Sequence, residues 1–372
     1  MGLIVIVGFA TTHCISLSVT DKSPLNQGGD RLYQHVQLLC SGVHIRCDPH
    51  AGDAVPIDSG AMDAVFVEQV RVDLGQLFTF YGKQADGAAP LRIEGSKQAD
   101  PGQLLHEGLI SSDNLFKPGL CTEDIILLTH DKAYWEHLRD LTLSAKAARR
   151  IGFPLSAQLV EREIRIAQGT IECCHFAMEH GIAFNVAGGT HHAGSNWGEG
   201  FCLLNDQAIA ANYLIDRKLV SHILIIDLDV HQGNGTAQIF ENEPRVFTFS
   251  MHGANNFPYR KEHSDMDIAL PDNTGDEEYL RRLKDALPPI IEQHKPDFIF
   301  YLSGVDVLQT DKLGKLSLSS EGCKARDRFV LELCAAKGIP VQVSMGGGYS
   351  PNIKDIVEAH CNTYRIANDI YF

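Results

Sequence analysis

The sequence predicts an α/β protein: a mainly parallel sheet with helices on both faces and a reactive site at the carboxyl ends of the strands. Three observations predict it. Several short apolar runs each end in polar or Gly-rich residues. From about residue 104 onward these runs alternate with stretches of helical spacing, and strand–crossover–strand units of that length give parallel pairing with both faces covered. The chain has 372 residues, 44% hydrophobic and 21% charged, as suits a soluble globular protein with a sizeable core.

The apolar start, residues 3–10, lacks a basic flank and is too short to span a membrane. It reads as a first β-strand, the alternative being a leader ending near residues 16–18. Up to residue 103 the chain is rich in Gly, Asp and Ala, with weak periodicity and no clear elements. Residues 124–129 read as a strand, and residues 159–180 carry apolar side chains at helical spacing. After a loop at 193–200, residues 201–214 read as a helix packed on the sheet. Residues 276–294 form a helix on pattern, with acidic residues at its start as the macrodipole favours and Pro288-Pro289 expected to break or kink it. Residues 319–337 form another, with Ser319 or Ser320 as N-cap and Gly338 as its stop.

The endings of the apolar runs carry the chemistry. Ile223 to Ile226 leads into Asp227-Leu228-Asp229-Val230-His231. Residues two apart on a strand share a face, so Asp229 and His231 converge. Buried charges persist when paired or bound to a metal, and a carboxylate with an imidazole suits zinc. Taken alone, this ending equally suits a solvated loop. Four further runs weigh against that reading: 182–186 leads into Gly188-Gly189-Thr190-His191-His192, 246–249 into Ser250-Met251-His252, 298–302 into Ser303-Gly304-Val305-Asp306, and 341–343 into Ser344-Met345-Gly346-Gly347-Gly348-Tyr349. In open α/β sheets ligands bind outside the carboxyl ends of the strands, so all of these endings describe one site.

The net charge of −15 argues against sequence-independent nucleic-acid binding, which needs basic patches. The 10 cysteines include no CxxC pair, as expected of thiols in a reducing compartment. These features lead us to expect a cytoplasmic enzyme with no membrane or direct nucleic-acid contact.

The motifs GGTHHAGSNWGEGFCLLND (188–206), DLDVHQGNGT (227–236), GVDVLQTDKLGKLSLS (304–319) and MGGGY (345–349) resemble, in order, elements of the zinc-dependent histone deacetylases of the arginase/deacetylase superfamily. Gln232 and the phrase Asp311-Lys312-Leu313-Gly314 look most like the class IV branch and its bacterial relatives. The resemblance covers residues 104–372. Residues 1–103 do not match the pattern, and Asp30-Arg31-Leu32 is only a faint counterpart of the family's Arg-Phe-Pro element. The expected organisation is one deacetylase-like domain, 1–372, with an atypical front segment.

The resemblance implies a set of roles. Asp229, His231 and Asp306 would bind Zn2+, or Fe2+ in its place, leaving a position open as a catalytic site requires. His192 would take a proton from the metal-activated water and later give one to the leaving amine, with His191 as its electrostatic partner. Asp227 would orient His191, and Asn234 would orient His192. Tyr349 would donate to the developing oxyanion. Gly200, Phe201 and Phe257 would wall the substrate channel, the two rings gripping an aliphatic linker, although either phenylalanine also suits the core. Asp227 and Ser250, with the carbonyls of Asp229, His231 and Met251, would hold K+; a second ion would sit near Phe240, Glu243 and Val246, where a plain turn is the other reading. The implied reaction removes an acyl group from an N-ε-acyl-lysine of a protein or peptide. The alternatives are an acetylpolyamine or other small-amide deacetylase, a catalytically impaired binding protein of the same fold, and an interaction module at 1–103.

Overall fold

The structure, a computed structural model, describes residues 101–372 and the backbone of four strands before them: β1 (Ile4–Ile6), β2 (Ser16–Leu17), β3 (Leu38–Cys40) and β4 (Val43–Ile45). The chain divides into two compact units, Met1–Phe9 with Leu77–Phe372 and, separately, Ala10–Gln76. In the smaller unit β2, β3 and β4 form an antiparallel sheet. The rest of the front segment lies outside the described residues, Asp30-Arg31-Leu32 included.

The larger unit is built on an 8-stranded sheet. Its further strands are β5 (Leu115–Phe116), β6 (Ile182–Asn185), β7 (Ile223–Asp227), β8 (Val246–Gly253), β9 (Met266–Leu270), β10 (Phe298–Leu302) and β11 (Val341–Ser344). The order is β5-β1-β6-β11-β10-β7-β8-β9, and every neighbouring pair is parallel. The expected sheet is therefore present, and the apolar start of the chain supplies β1. β6, β7, β10 and β11 are buried throughout, as apolar strands covered on both faces should be. Side chains alternate between two cores: Leu224 and Ile226 join one cluster, Ile223 and Ile225 the other.

The helix Ala157–His180 is capped by Ser156, whose Oγ accepts from the Leu159 amide at 3.2 Å, and it ends at Gly181. The helix Ser320–Lys337 is capped by Ser319 and stops at left-handed Gly338, both as expected. Three expectations are corrected. Residues 124–129 are not a strand: Glu123–Ile126 is a short helix behind Thr122. A run of Ile and Leu this short has no period to read. The helix after the Gly-rich loop is Asp206–Asp216, not 201–214. Phe201 has φ +69, which no helix accepts, and the first turn waits for Asn205 to cap the Ala208 amide at 3.0 Å. The helix Asp276–His294 runs through Pro288 and Pro289 unbroken. The carbonyls that lose their partners belong to Lys284 and Asp285 on the exposed face, where water can serve them, while Leu287, Ile290 and Ile291 hold the other face in the core.

Candidate metal and acid–base site

The sheet carries the chemistry at one edge. β7 and β10 pair so that Asp227 lies opposite Leu302, and each strand continues into a loop bearing carboxylates. Asp229, His231 and Asp306 are buried, and their ligand atoms lie within 4.8 Å of one another. His231 Nδ1 sits 3.0 Å from Asp229 Oδ1 and 3.1 Å from Asp306 Oδ2. Backbone amides hold the remaining oxygens: Val230 donates to Asp306 Oδ1 at 2.9 Å, and Gly347 to Asp229 Oδ2 at 2.8 Å. Glycine is needed where these loops meet. A Cβ on Gly304 would lie 2.4 Å from Asp229 Oδ2, and one on Gly347 would lie 2.1 Å from Asp306 Oδ2.

The donor set fits a divalent metal. Two carboxylates and one imidazole nitrogen converge, and among the described residues no lysine or arginine side chain is paired with the carboxylates. Without an ion the three groups compete for protons. Burial opposes a proton on His231, but the hydrogen bonds to Asp229 and Asp306 outweigh it and lift its pKa to about 10. Burial and repulsion from Asp229 push Asp306 up to about 7. Metal must displace these protons, which fixes the sign of the pH dependence. Apparent metal affinity should therefore rise with pH across the neutral and mildly alkaline range, as His231 and Asp306 give up their protons to the metal. Chelator-competition titrations across this range check it; a pH-independent affinity would contradict it.

Beside the triad stands the histidine pair, centroids 4.1 Å apart. Asp206 fixes the loop that carries it: its Oδ1 accepts from the amides of Gly189 (3.0 Å) and Thr190 (2.8 Å), and its Oδ2 from Thr170 (2.6 Å). His191 Nδ1 lies 2.7 Å from Asp227 Oδ2, and His192 Nδ1 lies 2.7 Å from Asn234 Oδ1. Their environments push them apart. Burial disfavours charge on His191, but Asp227 and Asp229 outweigh it and raise its pKa. Burial, with the charges of His191 and His231 adding to it, holds His192 well below the usual range. The surroundings thus bias His191 toward its charged form and His192 toward its neutral one.

His191, His192, Asp229, His231, Gly200, Phe201 and Tyr349 line one pocket. The Tyr349 amide donates to Asp311 Oδ2 at 2.6 Å, and its ring lies 6.3 Å from that of His231. Burial, with Asp306 and Asp229 adding, raises the phenol pKa well above its usual value, so the hydroxyl keeps its proton. Gly200, at φ +55, lets the chain pass between His192 and Phe257, whose ring stands edge-on to His192 at 5.0 Å. Phe201 pairs with Phe153 at 5.1 Å. Asp227 and Ser250 are neighbours across β7 and β8, and Ser250 Oγ lies 2.9 Å from His252 Nδ1. Phe240 ends the helix Asn234–Phe240, and the Val246 amide bonds the Glu243 carbonyl at 3.0 Å.

Sequence reading missed Asp206, Asp311, Glu199 and Arg150. Asp206, Glu199 and Asp311 lie inside the motifs, but their partners are loop amides and side chains distant in sequence, which leave no pattern in the sequence. Glu199 Oε1 accepts from Asn234 Nδ2 at 2.5 Å, and its Oε2 from Arg150 Nε at 2.5 Å.

At its carboxyl edge the parallel sheet carries a buried Asp–His–Asp triad that could hold a metal ion, beside a pair of packed histidines. The family model of the histone deacetylase domain matches residues 97–364, and the chain belongs to the histone deacetylase family of hydrolases. An uncharacterized protein of Picosynechococcus is 46% identical over 270 residues, 73% of this chain and 90% of the relative. Histone deacetylase 2 of Arabidopsis thaliana is 29% identical over 255 residues, 66% of each chain. The fold is similar to that of a histone deacetylase homologue from Aquifex aeolicus, with TM-score 0.65 and 24% identity over 80% of this chain and 82% of that one. Among the described residues no helix is long and apolar enough to cross a membrane.

Proposed function

We propose that this protein is a zinc-dependent amidohydrolase that removes the acyl group from an N-ε-acyl-lysine of a protein or peptide. The observation that carries the reading is the buried triad Asp229, His231 and Asp306 beside a histidine pair of opposed basicity. Zn2+, or Fe2+ in its place, would be held by the triad and would act there as a Lewis acid toward the amide carbonyl and water. Neutral His192 takes the proton of the attacking water through Nε2 and returns one to the leaving amine. His191, biased toward its charged form by Asp227, stabilises the negative charge that develops beside it. Tyr349 donates its hydroxyl to the oxyanion. Gly200, Phe201 and Phe257 form the apolar approach for an aliphatic linker. Asp227 and Ser250 offer hard oxygen ligands suited to K+.

Gln232 after His231, with the phrase Asp311-Lys312-Leu313-Gly314, supports placement near the class IV branch. The free, buried cysteines of the described residues support a reducing, cytoplasmic setting. The test is hydrolysis by zinc-loaded protein of lysine peptides carrying acyl groups from acetyl to long fatty acyl, with an acetylpolyamine alongside. Turnover of an acyl-lysine peptide is expected. Turnover of the polyamine alone would replace the substrate class, and no turnover at full zinc occupancy would overturn the reading.

A further inference from the structure

His192, the base of the proposed reaction, has an amide where its neighbour His191 has a carboxylate. An amide has two faces. If Asn234 presents Oδ1, His192 must carry its hydrogen on Nδ1, and Nε2 keeps a free lone pair toward the pocket. If Asn234 presents Nδ2, the hydrogen moves to Nε2 and the ring can no longer accept a proton there. Something must therefore fix the amide.

Glu199 is placed to do so. It is buried, with 8% of its surface exposed. Its loop is pinned by the Cys202 amide on the Glu199 carbonyl (2.9 Å) and by the Phe201 amide on the Ile151 carbonyl (2.7 Å), at the end of the helix Ala145–Ile151 that carries Arg150. One carboxylate oxygen takes the Asn234 amide hydrogen, the other the Arg150 guanidinium hydrogen, each at 2.5 Å. Arg150 in turn lies over the Trp197 ring at 4.4 Å. An arginine only donates and a carboxylate only accepts, so direction is imposed along the whole chain. Arg150 donates to Glu199, Asn234 donates to Glu199, and His192 donates to Asn234. Withdrawing hydrogen-bond density from Nδ2 also polarises the amide and strengthens Oδ1 as acceptor.

We propose that Glu199, oriented by Arg150, is a positioning residue that sets the tautomer of His192 by fixing which face of Asn234 it meets. The proposal rests on the acid–base role of His192 given above, but the tautomer can be read without any turnover.

Glu199→Gln is the test, because the change is isosteric and reverses the direction of the chain. Arg150 can only donate, so the glutamine oxygen turns to Arg150 and its NH2 to Asn234. Asn234 then turns its oxygen to the glutamine and its NH2 to His192, moving the His192 hydrogen to Nε2. The expected result is a change of His192 from the Nδ1–H to the Nε2–H form in 15N NMR. kcat should fall by on the order of 10²-fold or more, with KM and metal content held. Adding Asn234→Asp restores a pure acceptor next to both His192 and the glutamine NH2. The double variant should regain the Nδ1–H form and at least about tenfold of the lost kcat, whereas two merely structural defects would add. Arg150→Met in the Glu199→Gln background is a second route, since it frees the glutamine to offer its oxygen to Asn234 and should also restore the Nδ1–H form. An unchanged Nδ1–H form in Glu199→Gln, or a further loss on adding Asn234→Asp, would overturn the proposal. If the wild-type protein hydrolyses no amide, the function proposed above fails while the NMR result still decides the relay.

Discussion

Tyr349→Phe should leave the fold and metal content intact and lower kcat by about 10²–10³-fold, the typical effect of removing one oxyanion donor. The hydroxyl is the only group lost. The backbone of residue 349 stays pinned, because the bond to Asp311 runs from the amide. Gly346, at φ +66, still turns the loop inward, where a side chain would meet Gly304 Cα at 2.8 Å. KM should change little, since the donor acts on charge that exists only in the transition state. Steady-state kinetics beside metal analysis check this; an unchanged kcat would remove Tyr349 from the chemistry.

Asp306→Ala should abolish both metal binding and activity. Its Oδ2 is one of the converging ligand atoms, and its Oδ1 holds the Val230 amide between the other two ligands. Losing it removes a ligand and loosens the loop that carries Asp229 and His231. Metal content should fall from about one ion per chain to near zero at micromolar metal, and turnover with it. The buried Asp229–His231 pair still neutralises itself, so the variant should fold. Full metal stoichiometry in Asp306→Ala would refute the triad.

Much of the sheet was legible because β6, β7, β10 and β11 are apolar runs that end abruptly in Asp, His, Ser or Gly. A buried strand has no reason to end that way unless its tip is used. The same contrast exposed Asp229, His231, Asp306 and the histidine pair. Legibility failed where local signals were degenerate. Residues 124–129 have a strand-like run of Ile and Leu, yet Glu123 and Asp124 behind Thr122 start a helix. β9, Met266–Leu270, is mostly exposed and Asp267 interrupts its apolar residues, so no buried run marks it. Glu199 escaped because its meaning depends on Asn234, distant in sequence, and on Arg150 from another helix. A hydrogen-bond direction is a property of the folded network, not of residue spacing.

The most direct test of the central claim is to strip the protein of metal, titrate Zn2+ back and follow hydrolysis of an acetyl-lysine peptide against bound metal. Activity should be absent in the stripped protein and rise linearly to a plateau at about one ion per chain. Turnover by the metal-free protein, or zinc bound at full stoichiometry without turnover of any acyl-lysine peptide, would contradict the account.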